Sequence, residues 1–224
     1  MKEKAVAVVL ALLFFACQGT QVEVKSKEVS DVSDAQAQFA ELEQRLLQAK
    51  KISMKISITS SGAVSSSLKG ELSLSEPNQA HLDFKGEFAG NPVEIHLNSR
   101  GERMFGGSAD KSFREDTPPA LNEGIVLGLT RMGILHNLAM LSAGAPPDGT
   151  DGQIREWVQA QNFSTDKATK AIRFEIVVRG TPSGEVELWV DENTGFPKRR
   201  KQTVHFPEGD MEVEEVYEML TGTQ

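Results

Sequence analysis

Three features of the sequence predict an α+β protein dominated by antiparallel sheet. Apolar and polar residues alternate at period two over two separate stretches, roughly 51–108 and 157–219. Turns of a few residues separate consecutive runs, which makes hairpins, because a parallel pair would need a long crossover. Helical signals occur in two places only: ahead of the first stretch, and in an apolar segment between the two.

The first element is a twelve-residue apolar run, Ala5–Ala16, preceded by Lys2 and Lys4 and ending at the only cysteine, Cys17. A short positive region, an apolar region and a small residue before the cut describe a secretory signal. Twelve residues are too few for a membrane-crossing helix, which needs about 20. The run Phe14-Phe15-Ala16-Cys17 resembles a bacterial lipobox. That resemblance implies cleavage after residue 16 and lipidation of Cys17, with residues 17–30 as a polar tether. An acylated Cys17 leaves no free thiol, so disulfide, cysteine-metal and cysteine-nucleophile chemistry are all excluded.

The remaining chain is long enough for one sizeable core, and one domain over residues 31–220 is expected. A formal net charge of −8 without a concentrated basic patch argues against a nucleic-acid partner. The run Lys198-Arg199-Arg200-Lys201 lies in an expected strand, where neighbours alternate faces. At most half of it forms one patch, and it reads as a solvated strand face.

A helix is expected to start near Ser30 or Ser33, either of which suits an N-cap. Val32, Ala35, Phe39, Leu42 and Leu46 trace one apolar face, opposite Gln38, Glu41, Gln44, Arg45 and Gln48. From Lys51 the period becomes two. Ile52, Met54, Ile56 and Ile58 mark a first strand, and Val64, Leu68, Leu72 and Leu74 a second. Leu82, Phe84 and Phe88 mark a third, Val93, Ile95 and Leu97 a fourth, and 103–108 fits a short fifth.

Pro118-Pro119 opens a segment to about Ser142 whose apolar content exceeds one stripe. Gly124, Gly128 and Gly133 each cost about 1 kcal/mol relative to Ala inside a helix. Two helices with a bend and one longer helix fit the pattern equally. Glu123, Arg131 and His136 interrupt it too often for a membrane span. After a Gly/Pro/Asp loop at 144–152, strands return around Trp157, at Ile172–Val178, Val186–Val190, Val204–Phe206 and Met211–Met219. The total expected is nine or ten strands.

The stretch Val186-Glu187-Leu188-Trp189-Val190-Asp191-Glu192-Asn193-Thr194-Gly195-Phe196-Pro197-Lys198-Arg199, followed later by Tyr217, resembles the strand–turn–strand of the outer-membrane lipoprotein carrier superfamily. The order helix, strands, apolar helices, strands agrees with that family over residues 31–220. The resemblance implies an incomplete antiparallel β-barrel, a half-barrel, whose open side is closed by an N-terminal helix and a central helical lid. It also implies an apolar cavity for a lipid, an acyl chain or a lipoprotein's anchor. Such a protein would sit in the cell envelope, on the periplasmic side of the outer membrane, held by the Cys17 anchor.

The inward sets Ile52, Met54, Ile56, Leu68, Leu72, Leu82, Phe84 and Phe88 are then the expected lining, with Leu129, Met132 and Leu135 as the lid. Methionine suits such a site because its flexible thioether adapts to variable chains. No catalytic activity or cofactor is expected. His81, His96, His136 and His205 stand singly, and no phosphate-binding loop, dinucleotide fingerprint, metalloprotease motif or nucleophile elbow occurs. Glu212, Glu214 and Glu215 read as a solvated face rather than a carboxylate pair for acid–base work. The alternative reading is a lipid-anchored envelope sensor or scaffold with the same fold and no cargo. No protein partner can be named from the sequence.

Overall fold

The computed structural model describes residues 25–147 and 154–223. The signal run, Cys17 and the first part of the tether lie outside the described residues. Helix α1 (Lys25–Gln48) leads into six strands: β1 (Lys51–Gly62), β2 (Ser66–Ser75), β3 (Gln79–Phe88), β4 (Asn91–Arg100), β5 (Arg103–Ser108) and β6 (Ser112–Asp116). The central helical segment and a short α4 (Ile154–Trp157) follow. Five more strands complete the chain: β7 (Val158–Thr165), β8 (Ile172–Val178), β9 (Thr181–Val190), β10 (Pro197–Phe206) and β11 (Gly209–Thr223).

All eleven strands form one antiparallel sheet in the order β6-β5-β4-β3-β2-β1-β11-β10-β9-β8-β7. Consecutive strands pair except β6 with β7, and at the centre β1 meets β11 and joins the two halves. The sheet does not close, so β6 and β7 remain as edges, and the helices cover its inner face. This is the expected half-barrel.

Alternation in the sequence fixes which face is buried. Ile52, Met54, Ile56 and Ile58 on β1 are at most 2 % exposed, and their odd-numbered neighbours Lys51, Lys55 and Ser57 face solvent. Leu68 and Leu72 on β2, Leu82 and Phe84 on β3 and Ile95 and Leu97 on β4 continue that layer. Register shift by one residue would expose the whole layer, which is why the pairing is strongly specified. On α1, Ala35, Phe39, Leu42 and Leu46 are buried. The Phe39 ring packs at 5.2 Å from Phe163 of β7 and 4.8 Å from Phe174 of β8, tilted against both.

Several expectations need correction. Helix α1 begins at Lys25, ahead of Ser30 and Ser33, and takes in the last residues assigned to the tether. Val32, expected on the buried stripe, is exposed, so the packed stripe begins at Ala35. Strand β6 escaped notice because Phe113 is its one apolar residue among charged and polar ones, which leaves no period-two signal. Trp157 ends α4, and the strand starts at Val158.

The central segment resolves the open alternative in favour of a bend. Helix α2 (Leu121–Leu127) runs into a π-helical turn, Gly128–Met132, and α3 (Ile134–Ser142) follows after Gly133. The two arms meet at 119°. No single helix among the described residues is long and apolar enough to cross a membrane.

The assigned faces can be tested directly. Leu72→Asp buries a charge without a partner and is expected to cost about 4 kcal/mol or more in denaturant unfolding. Lys69→Asp, on the exposed face of the same strand beside Lys85, should change stability by less than about 0.5 kcal/mol. Similar losses at both positions would overturn the assignment of faces.

Candidate ligand-binding groove

An apolar groove of about 270 Å³ lies between α3 and the inner face of the sheet, at the end where β8–β9 and β10–β11 turn. Leu135, His136 and Ala139 of α3 form one wall, with Met132 from the π turn. Opposite are Ile176 and Val178 of β8, Val204 of β10 and Met211 and Val213 of β11. Trp157, Val64 and Phe88 close the sides, and Phe206, 40 % exposed, stands at the rim. A dry apolar cavity of about 150 Å³ already holds a benzene-sized molecule. The groove therefore has room for a short apolar segment.

Of the expected lining residues, Phe88, Met132 and Leu135 meet in this groove. Ile52, Met54, Ile56, Leu68, Leu72, Leu82 and Phe84 do not: each is at most 2 % exposed in the filled core, away from the groove. Leu129, at 3 %, is packed within the lid. Period two reports which side chains face inward, but not whether the space they face is filled. The groove's share from the second half, Ile176, Val178, Val204, Met211 and Val213, carries the same alternation and was readable by the same means.

The floor beside the groove is polar, and sequence reasoning misassigned it. Arg200 is fully buried and Glu215 is 1 % exposed, where both were expected on solvated faces. Parity held the signal. Arg200 and Gln202 share their strand face with Val204, and Glu215 shares its face with Val213 and Tyr217. The antiparallel register places Arg200 directly opposite Glu215.

Together these residues hold the break in the lid. The Arg200 guanidinium donates from Nη1 to the Thr130 carbonyl at 2.8 Å and from Nη2 to the Arg131 carbonyl at 2.8 Å. Its Nε donates to Gln202 Oε1 at 2.9 Å. On the other side of Gly133, Glu215 accepts the Ile134 N–H at 3.2 Å and the Leu135 N–H at 3.1 Å, and the Tyr217 hydroxyl also donates to it. A cation thus meets the carbonyl end of one helix and an anion the amide end of the next, complementing both dipoles and their unpaired backbone groups.

Burial pulls the Arg200 pKa down, and Tyr217 and Glu215 oppose that shift. Burial, followed by the Glu215 charge, holds the Tyr217 phenol well above its ordinary value, so it stays a donor.

Gly133 makes the geometry possible. Its φ of 85° and ψ of 156° lie where only glycine is comfortable. A Cβ there would sit 2.8 Å from Glu215 Oε1 and 3.3 Å from Arg200 Nε.

From the opposite side, Glu43 of α1 grips the same turn. Arg131 donates to it bidentately, Nε to Oε1 and Nη2 to Oε2, both at 2.9 Å, and the Thr130 hydroxyl donates to Oε1 at 3.1 Å. Arg131 Nη1 also reaches the Val158 carbonyl on edge strand β7 at 2.7 Å. Among the described residues, no group of three or more His, Cys, Asp or Glu is placed to hold a metal ion.

No protein-family model matches this sequence, and no curated protein does. Solved structures do resemble the fold. A LolA superfamily protein from Nitrosomonas europaea has 8% identity and a TM-score of 0.34 over 82% of this chain and 91% of its own. The lipoprotein LppX of Mycobacterium tuberculosis has 10% identity and a TM-score of 0.37 over 83% and 94%. The MucA/MucB complex of Pseudomonas aeruginosa matches at 12% identity and 0.39, over 85% of this chain and 59% of that one. The chain spans little more than half the length of the MucB structures it matches. At these identities the likeness concerns fold, and the half-barrel assignment here stands on strand order and helix placement.

Two outcomes test the pinned break. Arg200→Met, which leaves the Glu215 charge buried beside two unmet carbonyls, should cost about 3–5 kcal/mol in chemical unfolding. The double variant Arg200→Met/Glu215→Gln should cost clearly less than the sum of the two single changes. Additive losses would mean that the two groups act independently.

On the strand face opposite Val204, His205 Nδ1 and Asp210 Oδ1 lie 2.9 Å apart across the β10–β11 hairpin. Its hydrogen bond with Asp210 raises the His205 pKa, aided by the charges of Asp210, Glu185 and Glu212. A raised folded pKa stabilises fully below the unfolded value near 6.5 and is lost as pH climbs through the folded one. Hydrogen exchange of 204–211, corrected for intrinsic rates, should therefore quicken above pH 6.5 in the wild type. His205→Gln should abolish that pH dependence.

Proposed function

We propose that this protein is a lipid-anchored envelope protein that binds a hydrophobic ligand, an acyl chain or a lipoprotein's anchor, in the groove under α3. The observation that carries the reading is an open, apolar groove against a lid whose backbone ends are already satisfied by Arg200 and Glu215. Of the polar groups lining the groove, Gln202 accepts from Arg200 and the Ser183 hydroxyl donates to the Thr181 carbonyl, so the lining offers burial more than directional recognition. Transfer from water contributes about 0.8 kcal/mol per methylene. Lengthening the occupied space requires α3 to shift away from the sheet, since the rest of the interior is filled. Cys17 would supply the anchor: a diacylglyceryl group with an amide-linked chain holds stably, where one acyl chain is marginal.

One observation favours the second reading, a tethered sensor or scaffold without cargo. Seven residues expected to line a cavity instead form closed core, and the space left is small.

Titration of the full chain with a fluorescent fatty acid separates the two readings. Saturable binding is expected, weakened at least tenfold by Ala139→Trp, which fills the groove from α3, with little change in melting temperature. Lack of saturable binding would favour the scaffold. For the anchor, Cys17→Ser is expected to move the protein from the membrane to the soluble fraction or to block processing. Unchanged fractionation and processing would remove the lipoprotein reading.

A further inference from the structure

Helix α3 buries one polar side chain completely. Ile134, Leu138 and Leu141 are fully buried apolar residues, and Asn137 is buried among them at 0 % exposure. Among the described residues, neither Oδ1 nor Nδ2 of Asn137 meets a hydrogen-bond partner. A buried amide in that state forfeits its solvation without compensation.

Its surroundings are shaped to admit it. Gly128, at the start of the π turn, faces the amide: a Cβ at Gly128 would lie 2.8 Å from Asn137 Nδ2 and 3.3 Å from Oδ1. Gly128 has ordinary helical angles, φ −58° and ψ −50°. Its backbone conformation suits any residue, so the glycine serves the close approach of Asn137. Helix α3 also lies between two glycines of positive φ, Gly133 at 85° and Gly144 at 79°. Beyond the Glu215 contacts at its start, its last turn is tied to the sheet by the Ser108 hydroxyl, which donates to the Ser142 carbonyl at 3.3 Å.

We propose that Asn137 is a built-in destabiliser of α3, whose buried, unpartnered amide weakens the seating of this helix on the Gly128 turn. The helix then lifts as a unit between Gly133 and Gly144 before the sheet unfolds. Lifting exposes the amide to water and frees Leu135 and Ala139 from the groove, so one residue couples local opening to access. The inference concerns the free energy of opening and holds whether or not the groove takes a lipid.

Hydrogen exchange of the full chain, read by mass spectrometry, tests it without any ligand. In the wild type, 134–142 should exchange faster than β8 and β9. In Asn137→Leu, protection of 134–142 should rise about tenfold or more, with β8 and β9 unchanged. Better helix propensity alone gives roughly threefold, so a rise of threefold or less, or a fall, overturns the proposal. Exchange of α3 at the sheet's rate in the wild type overturns it as well.

Should leucine crowd Gly128 and lower overall stability, Asn137→Ala removes the amide without added bulk and must exceed the same threefold. A cycle with Gly128→Ala adds a second readout. That change should fail to protect 134–142 while Asn137 is present and should protect it several-fold in the Asn137→Ala background. Equal effects in both backgrounds would separate the two residues and overturn the pairing.

Discussion

Helix α3 starts at a glycine and has no capping side chain of its own, yet it begins over the middle of a sheet, buried from water. Glu215 makes this possible by accepting the first two amides, and Arg200 does the same for the carbonyls that end the preceding turn. Helix ends carry backbone groups that must find partners, and a 119° bend creates two such ends at one buried point. Removing either charge would leave backbone groups at that buried point without partners. The groove follows from that constraint, because the bend sets where Met132 and Leu135 stand relative to β8, β10 and β11.

The charged pair depends in turn on the strand pairing of β10 with β11, which sets Arg200 against Glu215, and on β1, which holds β11 in the centre of the sheet. Residues distant in the chain thus converge on the 128–133 turn. Glu43 completes the arrangement from α1, so the turn is gripped by its side chains on one face and by its backbone on the other. Buried charges of this sort contribute less to stability than to uniqueness: an apolar floor could be as stable, but it would not specify where the helix breaks. The same logic sets Asn137 apart. Every other buried polar group around the break is engaged, and an amide without a partner on the neighbouring helix makes that helix the weak part of the lid.

Much of the fold was legible from periodicity. The period-two runs from Ile52 to Leu97 and from Ile172 to Tyr217 gave the strands and their inner faces, because one buried face of an antiparallel sheet imposes alternation directly on the chain. Strand β6 was not legible, since an edge strand with Phe113 as its single apolar residue has no such imprint. Phe88, Met132 and Leu135, named from the sequence, line the groove, whereas Arg200 and Glu215 beside it were misread as solvated. Charge type suggested solvent, whereas parity with Val204, Val213 and Tyr217 pointed inward, and parity was right.

What the sequence determined by itself was the class of each segment and the direction of each side chain: helix or strand, inward or outward. These follow from local geometry, 3.6 residues per helical turn and two per pleat, and need no knowledge of what lies opposite. Tertiary structure alone decided which inward residues border empty space, that Ile52 and Phe84 are sealed while Val204 and Met211 are open, and that the lid breaks at Gly133. Those outcomes depend on distances between elements far apart in the chain. Packing fills space according to the shapes that meet across it, and no single strand or helix encodes the shape of its opposite wall.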